Sequence, residues 1–417
     1  MGNFVGYCCS LCGKQYLPHE VTYTCPADGG NLDVVLDVAG INKQVHPNDI
    51  FASHEPSLWR YLPLLPITDP GGIGTPLRAA GWTPIFKPQV LARKLGLESL
   101  WVKDESRNPT ASFKDRASAV LVGRARNIGA EVVVTASTGN AGAALAGMAA
   151  AVGQKAIIFA PRTAPPAKIA QLLVFGAQVL LVDGTYDDAF DLTIQAAEAF
   201  GWYCRNTGYN PFTAEGKKTA ALEIWEWMQR EAGPEFSAGR RLSIFVSVGD
   251  GNIISGLHKG FQDLLALGWL EQMPRIFGVQ AEGSAAIANA FFSGGEQIIP
   301  VQARTLADSI SVDLPRDGVR AVRAARETGG SYVLVSDAEI LAAIAELGRV
   351  GIFAEPAGAT AYAGLSRAIA SGLVNTGDPV LVLNTGSGLK DVRAAMQAVS
   401  EAPVIPPSLD AVRKLIG

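Results

Sequence analysis

The residues best suited to chemistry lie in segment 111–116, whose sequence is ASFKDR. Lys114 follows a run of small polar residues and directly precedes an acid and an arginine. One interpretation is structural: residues 109–112 begin a helix, and the charges occupy its solvated first turn. The other is that the amine of Lys114 is a nucleophile that forms a Schiff base, which requires a sheltered and partly desolvated position. The segment alone leaves both interpretations open.

Glycine-containing loops that follow short apolar runs offer groups for binding. After VVVTAS, residues 137–142 (STGNAG) precede a helical pattern. Small hydroxyl residues and exposed amides at a helix N-terminus form a site for an anionic oxygen, such as that of a carboxylate. The same residues also suit a helix cap with a tight turn, so this loop by itself is ambiguous.

Two further loops follow later runs. Residues 249–256 (GDGNIISG) follow SIFVSV, and closely spaced glycines let a backbone approach a phosphate. Their spacing is not that of the dinucleotide fingerprint, and a structural turn is the alternative. Residues 385–391 (TGSGLKD) place hydroxyl and glycine residues after PVLVLN. A reactive lysine, a carboxylate loop, a phosphate loop and a hydroxyl together would hold a phosphorylated pyridine aldehyde.

The elements that must position these loops alternate regularly from about residue 75. The short apolar runs are SLWVKD, EVVVTAS, KAIIFAP, QVLLVDG, SIFVSVG, RIFGVQA and PVLVLNTG. Nearly continuous apolar strands between helical stretches predict a parallel sheet covered on both faces, and hence an α/β fold. In such sheets ligands bind beyond the carboxyl ends of the strands, where these loops lie.

Composition and net charge indicate which class of protein this is and which partners are not expected. The 417 residues are 48% hydrophobic and 18% charged and include 45 glycines, which suits an α/β enzyme of two domains with a small appendage. The net charge of −4 gives no electrostatic reason to expect nucleic acid or an anionic membrane as a partner. The first residues lack signal-peptide features, and the apolar runs fall short of the ~20 residues that span a membrane. We therefore expect a cytoplasmic protein.

The N-terminal segment, in which cysteines alternate with turn residues, is typical of a small ribbon with a metal site. Its candidate ligands for a structural zinc ion are Cys9, Cys12, Cys25 and, in the fourth position, Asp28. Cys8 or His19 are alternatives for that fourth position. A ribbon that has lost its metal and folds by packing is the other interpretation. Few cysteines in a chain of this length argue against a disulfide scaffold and for a reducing compartment.

Five motifs together resemble the threonine synthases, a family of fold-type II pyridoxal-phosphate enzymes. SFKDR resembles the Schiff-base segment of the family and STGNAGAALA its substrate-carboxylate loop. EGKKTAALEIWEW, at residues 215–227, is similar to the EGxKTxxxEI signature, and TGSGLKD to the TGxGLKD tail. The CxxCG opening resembles an N-terminal extension frequent in the family. The resemblance runs from about residue 75 to residue 391 in the order of the family.

The resemblance implies an architecture and an assembly. The fold would consist of two open, twisted, mostly parallel sheets with flanking helices, plus a small N-terminal ribbon. Residues 1–38 would form the ribbon-like extension. Residues 39–125 and 211–417 would form the large domain that binds pyridoxal phosphate, and residues 126–210 a small mobile domain that binds substrate. A homodimer would be the usual assembly.

The resemblance also assigns roles residue by residue. Lys114 would carry the cofactor and move protons, Asn140 would bond the pyridine 3-oxygen, and Thr385 would face the ring nitrogen. Phe113 would pack beside the ring or serve only the core. The cradle for the cofactor phosphate would be the backbone of Gly249, Asp250, Gly251, Asn252 and Ile253. The substrate carboxylate would be held by Ser137, Thr138, Asn140 and Ala141.

The implied activity converts O-phospho-L-homoserine and water to L-threonine and phosphate. One departure bears on that substrate: Thr213 and Ala214 stand where the family has an arginine for the leaving phosphate. The cations that could replace it are Lys217, Arg205, Arg162 and Lys168, and Lys217 is the nearest to the EG pair in sequence. A β-eliminating lyase or dehydratase of a hydroxy- or phospho-amino acid is the alternative function. A non-catalytic pyridoxal-phosphate-fold binding protein is the third.

Overall fold

Three sheets organise the part of the chain that a computed structural model describes, residues 3–231, 236 and 240–416. Their strands in chain order are β1 (Phe4–Cys9), β2 (Gln15–Tyr16), β3 (Leu32–Leu36), β4 (Ile85–Phe86), β5 (Leu100–Asp104), β6 (Val132–Ala136), β7 (Lys155–Pro161), β8 (Gln178–Val182), β9 (Tyr203–Cys204), β10 (Ser243–Ser247), β11 (Arg275–Ala281), β12 (Tyr332–Val335) and β13 (Val380–Asn384). The spatial orders are β2-β1-β3, β12-β11-β10-β13-β5-β4 and β8-β7-β6-β9.

Helices connect these strands. They are α1 (Val38–Gln44), α2 (Pro47–Phe51), α3 (Gln89–Leu95), α4 (Lys114–Asn127), α5 (Asn140–Ala150), α6 (Pro166–Val174), α7 (Tyr186–Phe200), α8 (Phe212–Glu231), α9 (Asn252–Ala266), α10 (Ala286–Phe292), α11 (Gly318–Glu327), α12 (Asp337–Gly348), α13 (Pro356–Ala370), α14 (Val392–Gln397) and α15 (Leu409–Ile416). Within the described residues, no helix combines the length and apolarity that crossing a membrane requires.

The two larger sheets are mostly parallel, and their central strands are buried on both faces. In the six-stranded sheet, only the pairing of β4 with β5 is antiparallel. Ile244 and Val246 of β10 pack into one hydrophobic cluster and Phe245 into another, so apolar packing covers both faces of this strand. Every residue of β5, β6, β10 and β13 is buried. The predicted α/β class, with mostly parallel sheets, is confirmed.

The four-stranded sheet uses residues 132–204, which lie inside the range 126–210 predicted for the small domain. The three-stranded antiparallel ribbon uses residues 4–36, inside the predicted extension. Arg320 of α11 attaches this ribbon to the main body, because its Nη1 donates to Asp33 of β3 at 2.6 Å. The domain boundaries themselves stay predictions.

Candidate active site

The candidate active site lies at the carboxyl ends of β5, β6, β10 and β13. Backbone hydrogen bonds fix the loop after β5 to the loop after β13: the Phe113 N–H donates to the Thr385 carbonyl at 2.9 Å, and the Ser387 N–H to the Ala111 carbonyl at 3.1 Å. Ala111 has a φ of 63°, a left-handed conformation uncommon for a residue with a side chain. Helix α4 begins at Lys114, as the structural interpretation of segment 111–116 predicted. The charges are not in a solvated turn, however, because Asp115 and Arg116 are both fully buried.

One cavity collects all residues predicted to bind the cofactor. They are Lys114, Phe113, Asn140, Gly249, Asp250, Gly251, Asn252, Ile253 and Thr385. The loops after β5, β10 and β13 converge because these parallel strands end at the same edge of the six-stranded sheet, and Asn140 follows β6 of the four-stranded sheet. Their individual roles stay predictions.

The environment of Lys114 suits a nucleophilic amine. Burial, and to a smaller extent the charge of Arg205, lower the pKa of this amine to about 8, although Asp250 and Glu355 oppose the shift. The neutral amine is the form that attacks a carbonyl group, and desolvation increases its share near neutral pH. Lys114 can therefore form a Schiff base without a neighbouring base to deprotonate it.

The loop after β10 is shaped for a phosphate. A Cβ atom on Gly249 would lie 2.7 Å from the Ile310 Cα, and one on Gly251 would lie 2.5 Å from the Asp317 carbonyl oxygen. Gly251 also has a φ of 91°, which strains any other residue. The loop leads into α9, a helix of 15 residues whose first residue, Asn252, lines the cavity. Free N–H groups and the helix dipole at this end favour an anion.

The opposite sides of the cavity carry uncharged polar groups. Thr385 Oγ1 lies 3.4 Å from Ser247 Oγ. Asn140 Nδ2 donates to Glu355 Oε1 at 2.7 Å and, in a longer contact of 3.5 Å, to Ser309 Oγ. A hydroxyl suits an unprotonated pyridine nitrogen, and an amide N–H suits a phenolic oxygen. With the amine of Lys114 and the cradle, the residues present fit pyridoxal phosphate.

A second cavity of about 360 Å³ adjoins the first and shares Asn140 and Glu355 with it. Its volume lies in the range of small-molecule sites. Thr138 of the predicted carboxylate loop lines this cavity. Ser137 lies in the turn from β6 to α5, and Ala141 is the second residue of α5. Binding of the substrate carboxylate by these residues stays a prediction.

Two of the four candidate cations for the leaving phosphate are engaged at the surface. Arg162 is largely exposed and lies 3.6 Å from Asp183. Lys168 forms an ion pair with Asp308 at the second cavity, joining α6 to the segment after α10. The charges of these two side chains are already balanced by acids.

The other two cations are buried. Lys217 Nζ donates to the Asn252 carboxamide oxygen at 2.5 Å, and the Thr213 hydroxyl donates to the same oxygen at 3.1 Å. Arg205 lies beneath the cavity, where its Nη1 donates to the hydroxyl of Thr207, a lining residue. Thr213, which stands in place of the expected arginine, thus lies at the cradle.

Sequence reasoning missed Glu355, which lines both cavities. It is buried, and burial raises the pKa of its carboxyl group. The available signal was local: Glu355 directly precedes the proline that opens α13, the usual place for a helix cap. Nothing in that pattern indicates that the carboxylate contacts Asn140, 215 residues earlier in the chain.

The ribbon brings its predicted ligands together. The ligand atoms of Cys9, Cys12, Cys25 and Asp28 all lie within 4.8 Å of one another. Cys12 Sγ lies 3.8 Å from Cys25 Sγ, and Cys9 Sγ lies 3.3 Å from Asp28 Oδ1. A tetrahedron with zinc–sulfur bonds of about 2.3 Å has edges of about 3.8 Å, so the spacing fits this ion. Cys8 and His19, the two alternatives, lie outside the group.

Comparison with known proteins agrees with this geometry. Residues 77–386 match the family described as pyridoxal-phosphate dependent enzymes. The threonine synthase of Methanocaldococcus jannaschii is 36% identical over 411 residues, 98% of each chain, and that of Methanosarcina acetivorans is 36% identical over 412 residues, again 98% of each.

Solved structures show the same fold. The processed form of threonine deaminase isoform 2 from Solanum lycopersicum superposes with a TM-score of 0.65 at 22% identity, over 79% of this chain and 86% of that one. At that identity the likeness concerns the fold alone. The extent of the sequence matches decides the family: the chain belongs to the pyridoxal-phosphate dependent enzymes and, among them, to the threonine synthases.

Proposed function

We propose that the chain acts as a threonine synthase that converts O-phospho-L-homoserine and water to L-threonine and phosphate. The observation that carries this proposal is the 36% identity to threonine synthases over 98% of the chain. The convergence of Lys114, Asn140, Thr385 and the glycine-rich cradle on one cavity supports it. The activity is that of a pyridoxal-phosphate-dependent carbon–oxygen lyase with a small amino-acid substrate.

Lys114 is the proton carrier of the proposed reaction. Bound pyridoxal phosphate supplies an electron sink for negative charge at substrate carbons. The Lys114 amine takes a proton from the α-carbon of O-phosphohomoserine and then one from the β-carbon. After phosphate has left the γ-carbon, that carbon takes up a proton and becomes the methyl group. Water then adds its hydroxyl group at the β-carbon, and Lys114 returns a proton to the α-carbon. A pKa of about 8 keeps its acid and base forms both accessible near neutral pH.

The smaller sheet supplies the part that excludes water. Asn140 begins α5, after β6 of that sheet, and donates across the cavity to Glu355 before α13. The ion pair of Lys168 with Asp308 bridges the same two parts at the second cavity. We propose that these bridges close the site, because protons taken from carbon are lost to any bulk water that enters.

The test is product analysis with the purified holoenzyme. Supplied with O-phospho-L-homoserine, it should release phosphate and threonine in equal amounts. The alternative β-eliminating lyase would instead form a keto acid and ammonia from serine, threonine or their phosphates. Deamination of these amino acids without phosphate release from O-phosphohomoserine would replace the threonine synthase proposal by the lyase.

We also propose that the ribbon binds one structural zinc ion through Cys9, Cys12, Cys25 and Asp28. The preformed spacing of the four ligand atoms supports this. Zinc in such a closed site would stabilise the ribbon and take no part in the reaction. Protein purified without chelator should contain about one zinc per chain, and Cys12→Ser should remove the zinc while pyridoxal phosphate stays bound. A Cys12→Ser protein that retained its zinc would contradict the site.

A homodimer in the cytoplasm completes the proposal. Its support is the usual assembly of the enzymes that this chain resembles and the state of its five cysteines, all of which are free thiols. Light scattering of the purified protein tests the assembly directly.

A further inference from the structure

Arg205 is a buried cation without an acid partner. Among the described residues no carboxylate forms an ion pair with it, although its side chain is shielded from solvent. Its Nε lies 3.5 Å from Ser118 Oγ and its Nη1 donates to the Thr207 hydroxyl, but Nη2 has no hydrogen-bond partner. An unpaired buried charge is costly. The guanidinium is therefore placed to receive an anion from outside the chain.

Lys217 has the same character. It is fully buried, and its hydrogen bond goes to the neutral carboxamide of Asn252. Burial lowers the pKa of Lys217 well below its usual value. The charges of Lys114 and Arg205 act in the same direction, and the carboxylates of Asp250 and Asp317 oppose the shift. The next residue, Lys218, is equally buried but lies 2.5 Å from Glu215 and 2.8 Å from Asp263. Burial on α8 thus does not by itself leave a lysine unpaired.

The two cations approach one cavity from different elements. Arg205 directly follows β9, and its N–H donates to the Val134 carbonyl of β6 at 2.7 Å, so it belongs to the four-stranded sheet. Lys217 lies on α8. Their hydrogen-bond partners, Thr207 and Asn252, both line the cavity that contains the cradle. An anion bound by both cations would be held between the smaller sheet and the larger body.

The position of Thr213, which stands in place of the expected arginine, helps to define where the charge of Lys217 lies. Thr213 and Lys217 are four positions apart on α8, about one helical turn, and the Thr213 hydroxyl and the Lys217 amine both lie within hydrogen-bonding distance of the Asn252 carboxamide oxygen. The lysine therefore presents its charge at the same place as a side chain at position 213. The cofactor phosphate would be bound by the backbone N–H groups and the dipole of α9. Arg205 is not part of that cradle, because it comes from the opposite sheet.

Resting on the proposed function, we propose that Arg205 and Lys217 form the binding site for the leaving phosphate of the substrate. A dianion between them would satisfy the free Nη2 group and pair the lysine ammonium. An arginine offers a planar fork and a lysine a point charge, so the two contacts are complementary. The missing arginine at position 213 is then replaced by two cations from elsewhere in the fold.

The experiment measures binding of inorganic phosphate to the holoenzyme by isothermal titration calorimetry. Arg205→Met and Lys217→Gln should each weaken phosphate roughly 10- to 150-fold, the value of one charge-assisted contact. Gln at position 217 retains a donor for Asn252 and removes only the charge. The dissociation constant of pyridoxal phosphate should change less than about threefold. Lys218→Met is the matched control, a buried lysine with acid partners, and should leave phosphate affinity unchanged.

Proton uptake provides a readout that a structural role would not give. Since the pKa of Lys217 is lowered in the free site, binding of a dianion should raise it, and phosphate should bring a proton with it at pH values between the lowered and the raised pKa. Titrations in buffers of different ionisation enthalpy detect that proton, and Lys217→Gln should abolish it. Weaker binding of pyridoxal phosphate with unchanged phosphate affinity would overturn the inference, because the cations would then serve the cofactor. Unchanged affinities for both would overturn it as well.

The phosphate-binding experiment can succeed or fail independently of the turnover experiment that tests the proposed function. A holoenzyme that fails to turn over O-phosphohomoserine, yet loses phosphate affinity in both variants, would refute the reaction and retain the anion site.

Discussion

Two regions of buried charge meet at the start of α4 and are built in opposite ways. On one side, Arg116 is fully buried and makes paired hydrogen bonds to Glu105 at 2.7 and 2.8 Å and to Glu223 at 2.5 and 2.7 Å. Lys103 adds a third cation–acid contact, to Glu223 at 2.7 Å. Burial raises the pKa of Glu223, but the two cations lower it to about 2 overall. Every charge in this region has a partner.

On the other side, the cations around the cavity lack partners. Lys114 is two residues from Arg116, yet it forms no ion pair among the described residues, and neither do Arg205 and Lys217. Burial dominates the electrostatics of this region, and it lowers the pKa of all three cations. The difference teaches that burial of charge alone does not mark function in this molecule. The absence of an internal partner does, because it indicates where an external anion or an aldehyde belongs.

We call Lys103, Glu105, Arg116 and Glu223 the paired region, and the surroundings of Lys114, Arg205 and Lys217 the unpaired region. A substitution in the paired region should have the largest effect on stability. Arg116→Met would leave Glu105 and Glu223 buried without their main partner, and we expect a loss of about 3–5 kcal/mol in the free energy of unfolding. Urea denaturation of the apo-protein measures this loss. Arg413→Met is the control, because Arg413 forms an exposed pair with Asp410 and should not change the midpoint measurably. An Arg116→Met protein as stable as the parent would remove the distinction between the two regions.

The sequence predicted most of the longer strands, but it did not predict the order in which they lie in the sheet. All seven apolar runs are strands, β5 to β8, β10, β11 and β13. Strands β4 and β9 have two residues each and carry too little pattern to be recognised. The spatial order could not be predicted, because β13 lies between β5 and β10 although it is last in the chain. Strand order depends on packing between distant segments, which periodicity does not record.

The same limit applies to the candidate site. Local motifs were sufficient to select Lys114, Asn140, Thr385 and the cradle, since each lies in a segment that follows the carboxyl end of a parallel strand. Glu215 stands three positions before Lys218 and pairs with it, but the sequence Lys217-Lys218 gave no sign of the contacts that these two lysines make with α9. Their contacts lie 35 and 45 residues further along the chain, at Asn252 and Asp263. Only the fold reveals which of two adjacent identical side chains meets an acid.

The unpaired region can be tested by pH. The neutral amine of Lys114 attacks the cofactor aldehyde, and its pKa is lowered to about 8, chiefly by burial. Below that pKa each pH unit removes about nine-tenths of the neutral form. The rate at which apo-protein attaches pyridoxal phosphate should therefore rise about tenfold per unit up to pH ~8 and then level off. Stopped-flow absorbance measures the rate, with acetyl-lysine, whose pKa is about 10.4, as the control. A rate that still rises tenfold per unit at pH ~10 would mean that Lys114 is not desolvated.

The smallest expected effect on stability comes from Lys114 itself. Lys114→Met replaces an unpaired, desolvated amine by an apolar side chain of similar length, so no acid is left without a partner and no large void is created. The free energy of unfolding of the apo-protein should change by less than about 1 kcal/mol, against the several lost in Arg116→Met. Covalent attachment of the cofactor should nevertheless disappear, which borohydride reduction followed by mass spectrometry detects. A reducible adduct that survives in Lys114→Met would place the anchor on another lysine. A loss of stability as large as that of Arg116→Met would instead assign Lys114 to the paired, structural region. Retained stability together with a lost adduct is the combination expected of a residue whose partner comes from outside the chain.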